Sequence, residues 1–164
     1  MKKSIVEVVF IISLFCLRGF AGEPALVWHK FDEGMERAKN ENKQILIDVY
    51  TDWCGWCKTM DAKTYTDEKI VQYLSARYVR IRLNPETDGP ITYRGKKIEA
   101  SDFVRGMGVN GYPSTAFFES DASMITLVPG FIAADEFLPI LQYIAEKKYT
   151  EMSFDDFLKK QNKN

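Results

Sequence analysis

Cys54 and Cys57 are separated by Gly55 and Trp56 and follow closely on an apolar run, Gln44-Ile-Leu-Ile-Asp48-Val-Tyr50. Thiol–disulfide exchange needs no more than this pair: one thiolate attacks, and the second thiol resolves the mixed disulfide. A zinc site needs about four ligands, whereas the chain offers these two thiols and a distant His29. Covalent haem attachment needs a histidine after the second cysteine, where Lys58 stands. No metal and no cofactor is therefore expected. Asp48 interrupts the apolar run. A carboxylate there is either desolvated, with a raised pKa that suits proton transfer near neutrality, or an acid near a strand end paired to a lysine. His29, with no ligand-forming neighbour at useful spacing, is expected to be a solvated surface residue.

The elements around these residues can be read from periodicity. Residues 44–50 have apolar side chains in succession, as in a central strand covered on both faces. Phe31, Met35 and Ala38 predict a helix over 32–41 with Asp32 as N-cap, and Leu26-Val27-Trp28 could form an edge strand before it. One kinked helix or two cover 55–75, with Thr66 as a cap candidate. Either way Cys54 precedes a first helical turn, whose free N–H groups and positive dipole end favour a thiolate. Tyr78-Val-Arg-Ile-Arg-Leu83 alternates, which predicts a strand with one buried face and a solvated basic one. Residues 91–98 suggest a hairpin about Gly95, and Ser101 could cap a helix through Arg105. Residues 106–113 form a loop, and 115–118 with 124–128 predict an antiparallel hairpin. Phe137, Leu138, Leu141, Ile144 and Ala145 give a helical stripe in which Pro139 falls in the first turn if Asp135 is the cap. Ser153 to Asp156 resembles a capping box for a short terminal helix.

With 164 residues, 46% hydrophobic and 27% charged, the chain suits one domain with a substantial core. A formal net charge of -1 creates no field for a polyanion, so nucleic acid is excluded as an expected partner. Lys2 and Lys3 precede an apolar run from Val8 to Leu17, and Gly19-Phe20-Ala21 supplies small residues for cleavage. This pattern predicts a secretory signal peptide over 1–21 and a mature domain over 22–164. The apolar run is too short for a bilayer span. Leu14-Phe15 disfavour Cys16 as a lipid acceptor. Of the 3 cysteines, the expected mature chain keeps only Cys54 and Cys57. A bridge between them closes too small a loop to add much stability, so the pair reads as reactive.

Trp53-Cys54-Gly55-Trp56-Cys57-Lys58 resembles the site of thioredoxin-like proteins. Asp48, six residues before the first cysteine, Gly111-Tyr112-Pro113-Ser114, Arg82-Leu83-Asn84 and Gly130 also fall where that family places related residues. The resemblance covers most of 26–148 and implies an α/β thioredoxin-like fold. A central mixed β-sheet would be flanked by helices, with a small insertion before a cis-Pro113 loop and an extra C-terminal helix. It implies that Cys54, exposed at the helix start, attacks a substrate disulfide, that Cys57 resolves it, and that Asp48 assists proton transfer at Cys57. Trp53, Trp56, Tyr112 and Pro113 would bind substrate, with core packing as the alternative role, more for Trp53 than for Trp56. The expected partners are disulfide-containing protein substrates and a membrane or exported thiol reductase as electron donor. The chain is expected to be a monomer in the periplasm, or alternatively secreted. Trp56 replaces the proline of ordinary thioredoxin. The expected direction is reduction, with an oxidase, an isomerase or a non-catalytic binding module as the alternatives.

Overall fold

The structure is a computed structural model and describes residues 26–161. The expected signal peptide over 1–21, with Cys16, lies outside the described residues. The elements run α1 (Phe31–Glu41), β1 (Gln44–Val49), α2 (Gly55–Lys63), α3 (Glu68–Arg77), β2 (Tyr78–Leu83), β3 (Pro90–Tyr93), β4 (Lys96–Glu99), α4 (Ala100–Gly106), β5 (Ser114–Phe118), β6 (Met124–Pro129), α5 (Ala134–Ala145), a 3-10 turn (Lys148–Thr150) and α6 (Phe154–Gln161). The main sheet has the order β2-β1-β5-β6, with β1 parallel to β2 and antiparallel to β5. All six residues of β1 are buried, Asp48 among them, as expected of a strand whose apolar residues follow one another in succession.

Alternation along β1 divides the core in two. Ile45, Ile47 and Val49 face a cluster with Phe31 and Ala38 of α1 and Phe103 and Val104 of α4. Leu46 faces the other cluster, with Met60 of α2, Leu74 of α3 and Phe137 and Leu141 of α5. The architecture is thus helices on both faces of a mixed sheet, with α6 added at the end. Close approach explains one glycine: a Cβ on Gly34 would lie 2.3 Å from Cγ1 of Ile81, so α1 can lie against β2 only without a side chain there.

The hairpin about Gly95 is present as β3 and β4, a separate two-stranded sheet. Arg94 and Gly95 both have positive φ, 49° and 74°, which matches the right-handed twist of the strands they join.

Several expectations are corrected. Leu26–Trp28 is not a strand; a single bridge joins His29 to Ile81. That bridge buries His29, whose Nδ1 lies 2.7 Å from Oε1 of Glu33, so it is not a solvated surface residue. The region 55–75 is two helices. Asp67, not Thr66, caps the second by accepting from the amides of Lys69 and Ile70. Asp32 lies inside α1 and accepts from Thr92 N instead of capping. Neither Ser101 nor Asp135 is a cap, since Glu99 and Ala133 precede α4 and α5. Pro139 consequently sits in the second turn of α5. The Ser153 cap is present: its Oγ accepts from Asp156 N at 3.2 Å and donates to the Asp156 carboxylate.

The alternating strand 78–83 is covered on both faces. Arg80 is buried because its guanidinium donates to the carbonyls of Val27, Leu74 and Tyr78, so the second face of β2 is not a solvated basic surface. Among the described residues no helix is long and apolar enough to cross a membrane.

Candidate functional site

Cys54 and Cys57 are joined as a disulfide at the start of α2. The chain leaves β1 at its C-terminal end, and Cys54 N donates to Thr51 O at 3.2 Å, which folds the loop back before the helix. Cys54 is the N-cap residue: its Sγ accepts the Cys57 amide at 3.0 Å. A sulfur in this position receives one of the free N–H groups of the helix start and sits at the positive end of the dipole. Both effects favour the thiolate that reduction would create.

Cys54 was expected to be exposed. In the disulfide form it is only 4% exposed. The exposure belongs instead to the neighbouring indoles. Trp53 is 67% and Trp56 63% exposed, so neither takes the alternative role of a core residue. Trp53 meets Tyr112 edge to face at 5.8 Å and donates from Nε1 to the Glu86 carboxylate at 3.0 and 3.1 Å. Trp56 lies against Phe131, with ring centroids 5.4 Å apart. Two aromatic pairs therefore accompany the disulfide, one reaching the 106–113 loop and one the segment after β6. Glu86 and Phe131 escaped sequence reasoning because each is far along the chain from the tryptophan it touches.

The Tyr112–Pro113 bond is cis, as the resemblance implied. Pro113 immediately precedes β5, whose Ser114 pairs with Val49 at the end of β1. Gly130 N donates to Pro113 O at 2.9 Å, tying the end of β6 to the same corner. Strand pairing thus brings the segment before β5 to the end of the sheet from which the cysteine loop departs.

Asp48 lies on the face of β1 that it shares with Leu46, under α2. It is 2% exposed, and burial, the largest influence, pushes its pKa up to about 6. Arg82 opposes that rise, donating from Nε to Asp48 Oδ2 at 3.1 Å. The acid is both desolvated and paired, and its partner is an arginine rather than the lysine considered from sequence. Arg82 also donates from Nη2 to both oxygens of Asp61, at 2.7 and 2.9 Å. Asp61 follows Cys57 by four residues, one helical turn, so the two project from the same side of α2. Through this link Asp48, Arg82 and Cys57 share one side of the helix. Tyr65 and Thr115 add buried hydroxyls to that side; neither makes a hydrogen bond of good geometry, yet the Tyr65 phenol lies near enough to Asp48 to favour its carboxylate. Asp48 and Arg82 were visible in the sequence, whereas the i,i+4 spacing of Cys57 and Asp61 was the one signal for Asp61.

Among the described residues no cluster of His, Cys, Asp and Glu could hold a metal ion. What the arrangement can do is make and break a single disulfide at the start of a helix that lies over a buried acid.

A family model described as a thioredoxin-like domain matches residues 31–145, a span that includes Asp48, both cysteines, Arg82 and Pro113. The chain is 29% identical over 107 residues to the thiol:disulfide interchange protein DsbD of Yersinia pestis (strain Pestoides F), covering 64% of this chain and 16% of that protein's length. Among solved structures, the C-terminal domain of Neisseria meningitidis DsbD in its reduced form matches with a TM-score of 0.51 at 26% identity, over 67% of this chain and 90% of that one. A thioredoxin from Thermus thermophilus matches with a TM-score of 0.62 at 20% identity, over 74% and 88%, and shows the fold alone.

Proposed function

The chain belongs to the thioredoxin-like family, and on that premise we propose that it is an exported thiol–disulfide oxidoreductase that uses Cys54 and Cys57 as its redox pair to reduce disulfides in protein substrates. The observation that supports dithiol exchange through Cys54 is the Cys57 amide donated to Cys54 Sγ at the start of α2, which favours the Cys54 thiolate as the attacking sulfur; the direction rests on the family resemblance of the Trp53–Lys58 segment. In the first step Cys54 thiolate attacks one substrate sulfur, and the other leaves with the electron pair of the broken bond and takes up a proton. In the second step Cys57 gives its proton to Asp48, and its thiolate attacks Cys54 Sγ. The second substrate sulfur leaves with the electron pair of the Cys54–substrate bond and takes up the proton held by Asp48, and the Cys54–Cys57 disulfide remains. Two electrons have then passed from the dithiol to the substrate, and a dithiol reductase, exported or in the membrane, must return them.

Trp53, Trp56, Tyr112 and Pro113 are the proposed substrate contacts. The exposure of the two indoles supports this, as does the packing of Tyr112 on Trp53. An extended substrate segment would pair with the Tyr112 backbone. The assignment of residues 1–21 as a cleaved export signal, with 22–164 as the mature domain, rests on the charge and hydropathy pattern of that segment.

Equilibration of the Cys54–Cys57 couple with glutathione tests the direction. A potential near about -270 mV is expected, and one near about -120 mV would replace the reductant with an oxidant. Cys54→Ser should abolish catalysed reduction of a protein disulfide, by about a thousandfold or more. Reduction that survives this change would remove the dithiol mechanism. A native protein that binds such substrates without turnover would instead be a binding module.

A further inference from the structure

Arg82 holds two carboxylates at once. Its Nε serves Asp48 and its Nη2 serves Asp61, and these partners come from β1 and α2 while the arginine stands on β2 directly opposite Asp48 in the strand register. The guanidinium carbon lies 4.4 Å from the ring centroid of Tyr50 and 5.3 Å from that of Trp28, so two aromatic faces restrict where the fork can go. Side-chain exposure rises along the chain of contacts, from 2% at Asp48 through 25% at Arg82 to 38% at Asp61. A lysine at this position is a single point charge and lacks the planar fork that meets two acids in fixed directions.

We propose that Asp61 is a positioning residue for the redox site: by holding the outer side of the Arg82 fork, it sets how strongly that arginine acts on Asp48, and with it the pH at which Cys57 is activated. The inference rests on the second step of the reductase reading. The charged and titratable groups on this side are Arg82 from β2, Tyr50 just after β1, Asp61 and Cys57 from α2, and Tyr65 beyond α2, while β5 contributes the neutral Thr115. Burial and the Asp48 charge keep the Tyr65 phenol well above its ordinary range, so it stays neutral. The charges that act on Asp48 are then Arg82 and Asp61, with the neutral Tyr65 phenol adding a smaller pull toward the carboxylate. Arg82 favours the carboxylate. Asp61 disfavours it, both as a like charge and by sharing the guanidinium.

Changing either partner should shift Asp48 in opposite directions. Asp61→Asn keeps the shape and removes the charge, so all of the arginine's attraction falls on Asp48 and the acid ionises at lower pH. Arg82→Gln leaves two carboxylates facing each other, so Asp48 holds its proton to higher pH. A role in packing alone gives no such opposition.

The experiment uses the full chain and two readouts. One is the pH dependence of the single-turnover rate at which Cys57 resolves a preformed mixed disulfide between Cys54 and a peptide thiol. The other is the titration of the Asp48 carboxyl carbon by NMR in the oxidised protein. Asp61→Asn should move the acid limb and the carboxyl midpoint down by about half a pH unit or more, and Arg82→Gln should move both up by about one unit. No movement, or movement of both variants in one direction, overturns the proposal. If Arg82→Gln does not fold, Arg82→Lys takes its place and the sign of the Asp61→Asn shift decides. A native protein that fails to reduce disulfides would end the reductase reading, while the carboxyl titration would still report on the Arg82 fork.

Discussion

The two faces of β1 share one backbone and differ in almost everything else. Ile45, Ile47 and Val49 enter an apolar layer built with α1 and α4, in which Phe103 touches Phe31, Tyr93 and Phe118. On the other face, Leu46 is followed by Asp48, and the register sets Thr115 and Arg82 on either side of that acid. Tyr65 and Thr115 bury hydroxyls there without partners. The apolar face supplies burial that nothing offsets. The opposite face carries a desolvated carboxylate under the helix that bears the cysteines, an arrangement that disfavours the folded state and, in the proposed mechanism, serves proton transfer. Stability and reactivity are separated by the thickness of one sheet.

The largest effect should come from the apolar side. Phe103→Ala removes a buried ring with three aromatic neighbours and should destabilise the oxidised protein by about 3–5 kcal/mol in denaturant titrations. Its glutathione equilibrium should not move, since both redox forms lose the same packing. A shifted potential would mean that the two faces are not independent.

Asp48→Asn acts with the opposite sign. The acid's pKa is raised from 3.8 to about 6 on folding, so its contribution to stability is fully present below pH 3.8 and is lost as pH rises through about 6. At neutral pH the ionised form destabilises the fold by on the order of 3 kcal/mol. Asparagine, which never ionises, should therefore stabilise the oxidised protein at pH 7 by about 2–3 kcal/mol and add nothing of that kind at pH 3. Disulfide reduction should slow by about a hundredfold, as expected for loss of a general base. A stabilised variant with undiminished turnover would detach Asp48 from the chemistry.

What could be read from sequence follows the same division. The apolar strand, the cysteine pair, the turn at Gly95 and the hairpin of β5 and β6 are written in local patterns, and they appear where those patterns place them. The polar face of the sheet was less legible. Alternation in Tyr78–Leu83 implied that Arg80 and Arg82 were solvated, because nothing local reveals a layer of helices over them. Arg80 is buried by carbonyls at Val27 and Leu74, and Arg82 is held by acids on β1 and α2. His29 was misplaced for the same reason, its burial depending on a bridge to Ile81. Long side chains find partners that only the tertiary fold brings near. Asp48 was legible as desolvated because an acid inside an otherwise apolar run is locally anomalous. Helix caps were missed by one or two residues wherever the capping group was ambiguous, as with Thr66 and Asp67.

The smallest effect gives the finest resolution of the two faces. Tyr65 is 6% exposed and its ring packs against Trp28 and Phe137, while its hydroxyl has no partner in hydrogen-bonding geometry. Removing an unsatisfied buried hydroxyl and keeping the ring relieves a desolvation penalty without opening a cavity. Tyr65→Phe should then leave stability unchanged or raise it by up to about 1 kcal/mol, measured on the oxidised protein at pH 7. A loss of about 1 kcal/mol or more would mean that the phenol donates to the ionised Asp48 in solution. Repeating the measurement at pH 4, where Asp48 is protonated, separates the two cases: a bond to the carboxylate disappears there, whereas an orphan hydroxyl gives the same result at both pH values. The polar face would then contain one satisfied hydroxyl more, and the contrast with the apolar layer would rest on Asp48 and Thr115.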